Sequence, residues 1–174
     1  MLLLLQLQCS ATAAHWTRPF APRVLNENGT IFDEIKLYKT ECDHGSSSLV
    51  TMEGYKDCHF SEIASGVVFE SSNEQKRFYL AGDTIFCQKV IDTIKKFQPE
   101  VVAVNAAGVQ FPLGHLLIMN QYDVRALMRQ FPELDVIATH VEGVSHATVT
   151  RAILKEFAEK NNLKRLHIPK DGEL

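Results

Sequence analysis

The sequence lacks the short motifs that mark the common nucleotide-binding and serine-hydrolase proteins. It contains no Gly-x-Gly-x-x-Gly turn or P-loop to hold a phosphate, and no Gly-x-Ser-x-Gly elbow to present a serine nucleophile. Charged residues of one sign are not concentrated in any part of the sequence either. The 18 basic and 21 acidic residues are dispersed along it and give a formal net charge of −3. Without a basic stripe, no nucleic-acid partner is expected.

Cysteine is also sparse and irregular. The four cysteines form no Cys-x-x-Cys pair, so neither a zinc ribbon nor a disulfide framework is predicted, and a reducing compartment is favoured. One alternative stays open: Cys42 with His44, and Cys58 with His59, are residue types that a single zinc ion binds.

No apolar run is long enough to cross a bilayer. The run Met1–Leu7 is interrupted by glutamine and is far shorter than the roughly 20 residues of a membrane helix. It lacks the basic residues of a secretory signal, although Ala11-Thr12-Ala13 has the pattern of a cleavage site. Residues 1–28 are therefore interpreted as an atypical segment, either signal-like or unrelated to the fold. A cytoplasmic location is favoured, with secretion as the alternative.

The remainder predicts one α/β domain over residues 29–174. With 174 residues, 45% of them hydrophobic, and no interior linker, the chain can form a single core. Alternating and continuous apolar runs predict strands, and apolar residues three or four apart predict helices. The predicted strands are Asp33–Thr40, Gly66–Glu70, Arg77–Ala81, Val101–Val104, Asp135–Ala138 and Arg165–Ile168, and the helical stripes are Val90–Phe97, Val124–Phe131 and Val149–Phe157. This order predicts a sheet that starts antiparallel, becomes partly parallel, and carries helices on at least one face.

Three polar residues lie where apolar runs meet turns: His44, Asp83 and His140. Two imidazoles and a carboxylate from the ends of separate strands suit a divalent metal site with an open coordination position. Each residue also has a purely structural interpretation. Asp83 can cap a following helix, and a histidine at a strand end can satisfy backbone groups.

Over residues 30 to 174 the sequence resembles the C-terminal half of metallo-β-lactamase-fold hydrolases. The matching stretches, in order, are Thr40–Gly45, Tyr79–Thr84, Val136–His146, Thr150-Arg151 and Ile168–Glu173. The resemblance implies an αββα sandwich with a two-metal site at one edge of the sheets. It implies that His44 binds the first metal, that Asp83 bridges both and is the catalytic carboxylate, and that His140 binds the second.

The cofactor implied is zinc, with manganese or iron as alternatives, since imidazole and carboxylate ligands suit all three. Two cations would acidify a bridging water and polarise the substrate. Glu142 and His146 follow His140 on the same loop, and we interpret them as groups that orient His140 or contact substrate. For His146 the alternative is a cap on the next helix.

The sequence departs from the family pattern upstream of His44. Family members carry a His-x-His-x-Asp-His loop there, and this chain has only His15. The metal site is therefore expected to be incomplete and the chain truncated. Two hypotheses follow: a metal-dependent hydrolase of a small ester, lactone, amide or phosphodiester, or a non-catalytic remnant that acts by association. In either case a second copy or an intact paralogue is expected to cover exposed core.

Overall fold

A computed structural model of the protein describes residues 25–45, 64–74, 76–110 and 115–173. Within these ranges, seven strands form one sheet and three helices pack on it. The strands are β1 (Thr30–Phe32), β2 (Ile35–Glu41), β3 (Ser65–Ser71), β4 (Phe78–Leu80), β5 (Val101–Asn105), β6 (Asp135–Thr139) and β7 (Leu166–His167). The helices are α1 (Gln88–Phe97), α2 (Gln121–Gln130) and α3 (Arg151–Lys160).

The sheet changes from antiparallel to parallel halfway along. Strands β1 to β4 form an antiparallel meander, and β4 to β7 pair in parallel. One helix connects each parallel pair, because a parallel connection must cross over the sheet. The predicted α/β class and the predicted order of strands and helices are confirmed.

Two of the structural alternatives from the sequence are wrong. Helix α1 begins at Gln88 with Cys87 as its N-cap, so Asp83 does not cap it. Helix α3 is capped by the Thr150 hydroxyl, which accepts from the Ile153 N–H at 3.2 Å, so His146 does not cap it either.

All three helices cover the same face of the sheet. Parallel crossovers are right-handed, and β4, β5, β6 and β7 are added in one direction, so each helix returns on the same side. The helical face joins strand side chains to apolar residues from every helix in one core cluster. Its fully buried members include Val68, Tyr79, Val102 and Val136 from the strands, and Val90, Val124, Leu127 and Leu154 from the helices.

The other face of the sheet, which we call the opposite face, is also apolar. Two rows of paired residues show this: Leu37, Phe69, Phe78 and Val101 across β2 to β5, and Val67, Leu80, Ala103 and Ile137 across β3 to β6. The Phe69 and Phe78 rings are 5.6 Å apart. Near the β1 edge, Phe32 and Ile35 are 42% and 39% exposed. The described residues thus form one helical layer on one sheet, two of the four layers of the sandwich implied by the resemblance.

Part of the sequence interpretation falls outside the described residues. Most of the segment 1–28 does, and so do Cys58 and His59 of the alternative zinc cluster. Among the helices that are described, none combines the length and the hydropathy needed to cross a membrane.

Candidate metal centre

The three predicted ligands follow three strands that run in the same direction, so the carboxyl ends of these strands lie at the same end of the sheet. Strands β2 and β4 are both antiparallel to β3, so they run in the same direction, and β6 is parallel to β4 through β5. The residues His44, Asp83 and His140 come just after the carboxyl ends of β2, β4 and β6. The sequence interpretation that strand ends deliver these residues to one edge is therefore consistent with the topology.

His44 is held by a backbone carbonyl. Its Nδ1 lies 3.0 Å from the Leu117 carbonyl oxygen, which can only accept, so Nδ1 carries the proton and Nε2 keeps its lone pair. The preceding residue is anchored to the β4 turn: Asp43 N–H donates to Thr84 Oγ1 at 3.0 Å, and Ile85 N–H donates to the Asp43 carbonyl at 2.9 Å. His44 thus presents the tautomer that a metal needs.

A glycine turn delivers Asp83. Gly82 has φ +74, and a Cβ there would lie 2.8 Å from the Ser65 carbonyl oxygen, so both the conformation and the space favour glycine. The β4 turn therefore packs directly on the start of β3.

Asn105, at the end of β5, connects Asp83 to the strand that precedes His140. Its Nδ2 donates to Asp83 Oδ1 at 2.6 Å, and its Oδ1 accepts from Thr139 Oγ1 at 2.7 Å. The bond to Asn105 orients the carboxylate through one oxygen, and among the described residues no hydrogen bond to its second oxygen is found. Sequence reasoning missed Asn105. The available signal was a polar residue ending the apolar run Val101–Val104.

His140 lies on a tight turn after β6. Its φ is +57, and that of Glu142 is +64, so two residues other than glycine adopt the left-handed conformation. A Cβ at Gly143 would lie 3.2 Å from His140 Nδ1, so the imidazole packs against this glycine. The position of the His140 imidazole therefore depends on the backbone conformation of this turn.

Among the described residues, no hydrogen bond joins Glu142 to His140; the Glu142 carboxylate binds Arg151. Oε1 accepts from the Arg151 backbone N–H at 3.0 Å and Oε2 from Nη1 at 2.8 Å. His146 is exposed on the loop that follows. The roles of both residues toward a metal or a substrate stay predictions.

The donors match a divalent metal in type, but not in number. The His44 tautomer and the oriented Asp83 carboxylate suit zinc, manganese or iron. However, within the described ranges no three His, Cys, Asp or Glu side chains are grouped closely enough to hold a metal ion. The gathering of His44, Asp83 and His140 around one cation stays a prediction, and it requires further donors.

The alternative cluster through Cys42 finds no support in the structure. The Cys42 thiol is only 4% exposed, and its Sγ donates to the Ala81 carbonyl oxygen at 2.9 Å. Burial raises the pKa of this thiol to about 12, so the thiolate that zinc needs is disfavoured.

Cys42 should therefore resist alkylation in the native protein. Because burial raises the pKa of the thiol far above 8, the reactive thiolate is scarce at pH 8. Peptide mapping after iodoacetamide treatment should find Cys42 unmodified while the half-buried Cys87 reacts, and unfolding in guanidinium should expose both. Native modification of Cys42 at the rate of Cys87 would contradict this assignment.

Comparison with known proteins gives one curated relative. The UPF0173 protein YddR of Bacillus subtilis is 35% identical over 147 residues, which are 83% of this chain and 54% of the relative. No protein-family model matches the sequence.

Solved structures of other proteins share the fold. An isothiocyanate hydrolase from Delia radicum gut bacteria has a TM-score of 0.77 and 31% identity, over 87% of this chain and 58% of its own. A possible metal-dependent hydrolase from Veillonella parvula has a TM-score of 0.76 and 28% identity, over 83% and 55%. The metallo-β-lactamase fold protein YhfI from Bacillus subtilis has a TM-score of 0.56 at 8% identity, over 83% and 49%, and shows the fold alone.

The chain spans about half the length of these proteins. The sequence match nevertheless covers 83% of this chain, and the structural match covers up to 87% of it. The chain belongs to the family of metallo-β-lactamase-fold proteins.

Proposed function

We propose that this chain forms part of a metal-dependent hydrolase, in which His44, Asp83 and His140 are metal ligands. The observation that supports the proposal most directly is the convergence of β2, β4 and β6 at one sheet edge, with Asp83 hydrogen-bonded through Asn105 to the strand that carries His140. Zinc is the metal proposed first, and manganese and iron are the alternatives.

A bound metal would supply an acidified water and polarise the bond to be cleaved. The chain's own residues have different tasks. His44 presents Nε2 because its Nδ1 proton is engaged by Leu117, and Asp83 keeps one oxygen available because Asn105 holds the other. These bonds orient the donors before any ligand arrives, which lowers the cost of assembling the site.

We propose that the further donors come from polypeptide that packs against the opposite face. Asn105 and Thr139 lie two residues after Ala103 and Ile137, so they are on the opposite face. The site therefore opens on the face of the sheet that the helices do not cover. The relatives contain nearly as much chain again as the part that matches. We therefore propose that a further part of the protein, a second copy or an intact paralogue covers this face and completes the site.

For the substrate we propose a small electrophilic molecule. One solved structure with 31% identity is an isothiocyanate hydrolase, and this suggests isothiocyanates alongside esters, lactones, amides and phosphodiesters. Hydrolysis of an isothiocyanate adds water across the C=N bond and releases an amine and carbonyl sulfide.

Metal content and hydrolysis test the proposal together. The purified chain should bind zinc weakly, because two protein ligands per metal are fewer than the three usual at a catalytic zinc. After dialysis, elemental analysis should find less than one zinc per chain; adding zinc back should restore binding, and competition with a chelator of known affinity should show that this binding is weak. Allyl isothiocyanate and p-nitrophenyl acetate, with zinc in excess, are the first substrates to assay.

The outcomes separate the two hypotheses. Zinc-dependent hydrolysis that is lost on chelation supports the hydrolase. Absence of zinc binding at millimolar metal would overturn it and favour the non-catalytic remnant. Two tightly held metals per chain would instead contradict the incomplete site.

A further inference from the structure

Arg151 connects three separate segments beside His140. As the first residue of α3, it binds the Glu142 carboxylate with both its backbone N–H and its Nη1. Its Nε donates to the Pro169 carbonyl oxygen at 3.1 Å, and its Nη2 pairs with Asp171. The Arg151 side chain is only 23% exposed, although Asp171 is 91% exposed.

This arrangement uses the full shape of a guanidinium. Nε, Nη1 and Nη2 each donate to a different partner, which are Pro169, Glu142 and Asp171. A lysine ammonium is a point charge without that fork and cannot meet the three partners in the same geometry. Arg151 therefore sets where Glu142 lies relative to α3 and to the C-terminal segment.

The position of Glu142 then determines the backbone conformation of the turn that carries His140. His140 and Glu142 have φ of +57 and +64, a conformation that non-glycine residues keep only when their surroundings impose it. The paired carboxylate holds one end of the turn, and strand β6 holds the other. The His140 ring lies against Gly143, the residue after Glu142.

We propose that Arg151 is a positioning residue for His140, acting through Glu142 and the left-handed turn. This inference deepens the proposed function, because it gives the Arg151 cluster a role at the metal site. Arg151 itself would contact neither metal nor substrate. It keeps the imidazole where the site requires it.

Arg151→Lys is the main test, and Arg165→Lys is the matched control. Arg165 makes similar bonds at the other end of β6, from Nε to the Leu134 carbonyl oxygen and from Nη2 to Asp135. We expect Arg151→Lys to weaken zinc binding by about tenfold, the lower end of the effect of outer partners of metal ligands. Arg165→Lys should leave zinc affinity within about twofold. Glu142→Ala should act like Arg151→Lys.

A second measurement needs no metal. In the metal-free protein, the ring Cε1–Hε1 signal of His140, assigned with His140→Ala, should shift or broaden in Arg151→Lys and Glu142→Ala. It should stay unchanged in Arg165→Lys. A purely structural role would lower the unfolding temperature of Arg151→Lys and leave both the ring signal and the zinc affinity unchanged, and that result would overturn the inference.

The two proposals fail in different ways. If His140→Ala binds zinc as well as the unmodified chain, the proposed metal site is wrong, and the ring signal alone then decides the role of Arg151. If His140→Ala loses zinc affinity while Arg151→Lys keeps both its affinity and its ring signal, only the positioning role is wrong.

Discussion

Replacing Asp83 by alanine should abolish zinc-dependent hydrolysis and reduce zinc affinity by more than roughly 100-fold, beyond the effect of losing an outer partner. Asp83 is the only carboxylate among the three proposed ligands and the one that the resemblance places between two metals. The fold should survive, because the main loss is the Asn105 partner, which costs about 1 kcal/mol for a half-buried amide. Chelator-competition titration and circular dichroism measure the two effects.

Asp92→Ala is the matched control for this prediction. Asp92 is an exposed carboxylate on α1 that accepts a hydrogen bond from Gln88 at 2.7 Å. It should bind zinc as the unmodified chain does. Equal zinc affinity for Asp83→Ala and Asp92→Ala would place the site elsewhere.

Gly66→Ala should destabilise the protein by about 3 kcal/mol, at the upper end for an overpacked core position. A methyl group there would lie 2.7 Å from both the Leu80 carbonyl oxygen and Thr40 Oγ1, and 2.9 Å from the Ala81 carbonyl oxygen. Two of these neighbours are backbone atoms of the segment that leads to Asp83, so they cannot move without parting β3 from β4. For a chain of this size the unfolding temperature should fall by roughly 6 to 12 °C.

Gly143→Ala makes the same chemical change where no backbone atom is close. Its nearest neighbour is the His140 ring at 3.2 Å, and the only backbone atom among the three nearest is 3.8 Å away. The free energy of unfolding should change by no more than about 0.5 kcal/mol. Differential scanning calorimetry of both variants gives the comparison, and a Gly66→Ala protein as stable as Gly143→Ala would show that β3 tolerates the extra volume.

The strands and helices could be predicted because each depends on short-range periodicity. The run Val101–Val104 is apolar at every position, and the strand found there is buried at its centre. Helix boundaries were less accurate. Val149 fits the apolar stripe of α3 but lies outside the helix, because its side chain packs in the core while its backbone N–H donates to the Ala107 carbonyl oxygen at 3.1 Å. Burial and helix membership are different properties, and periodicity reports only the first.

The site could be predicted only in part. Polar residues at strand ends indicated His44, Asp83 and His140, and topology adds that all three strands end at one edge. The partners that orient them were not predictable. Asn105 and Leu117 reach Asp83 and His44 across 22 and 73 residues of sequence, a separation at which local pattern carries no information.

The strand order has a consequence for folding. Among the described residues, every strand pairs with the strand before it and the strand after it in the chain. Among the described strands, β1 with β2 and β3 with β4 form short hairpins, whereas β2 pairs Glu41 with Ser65 and β5 pairs Val101 with Asp135 across long connections. Long-range and parallel pairing must close large loops and is slow, so we expect the two hairpins to form before the parallel strands join them.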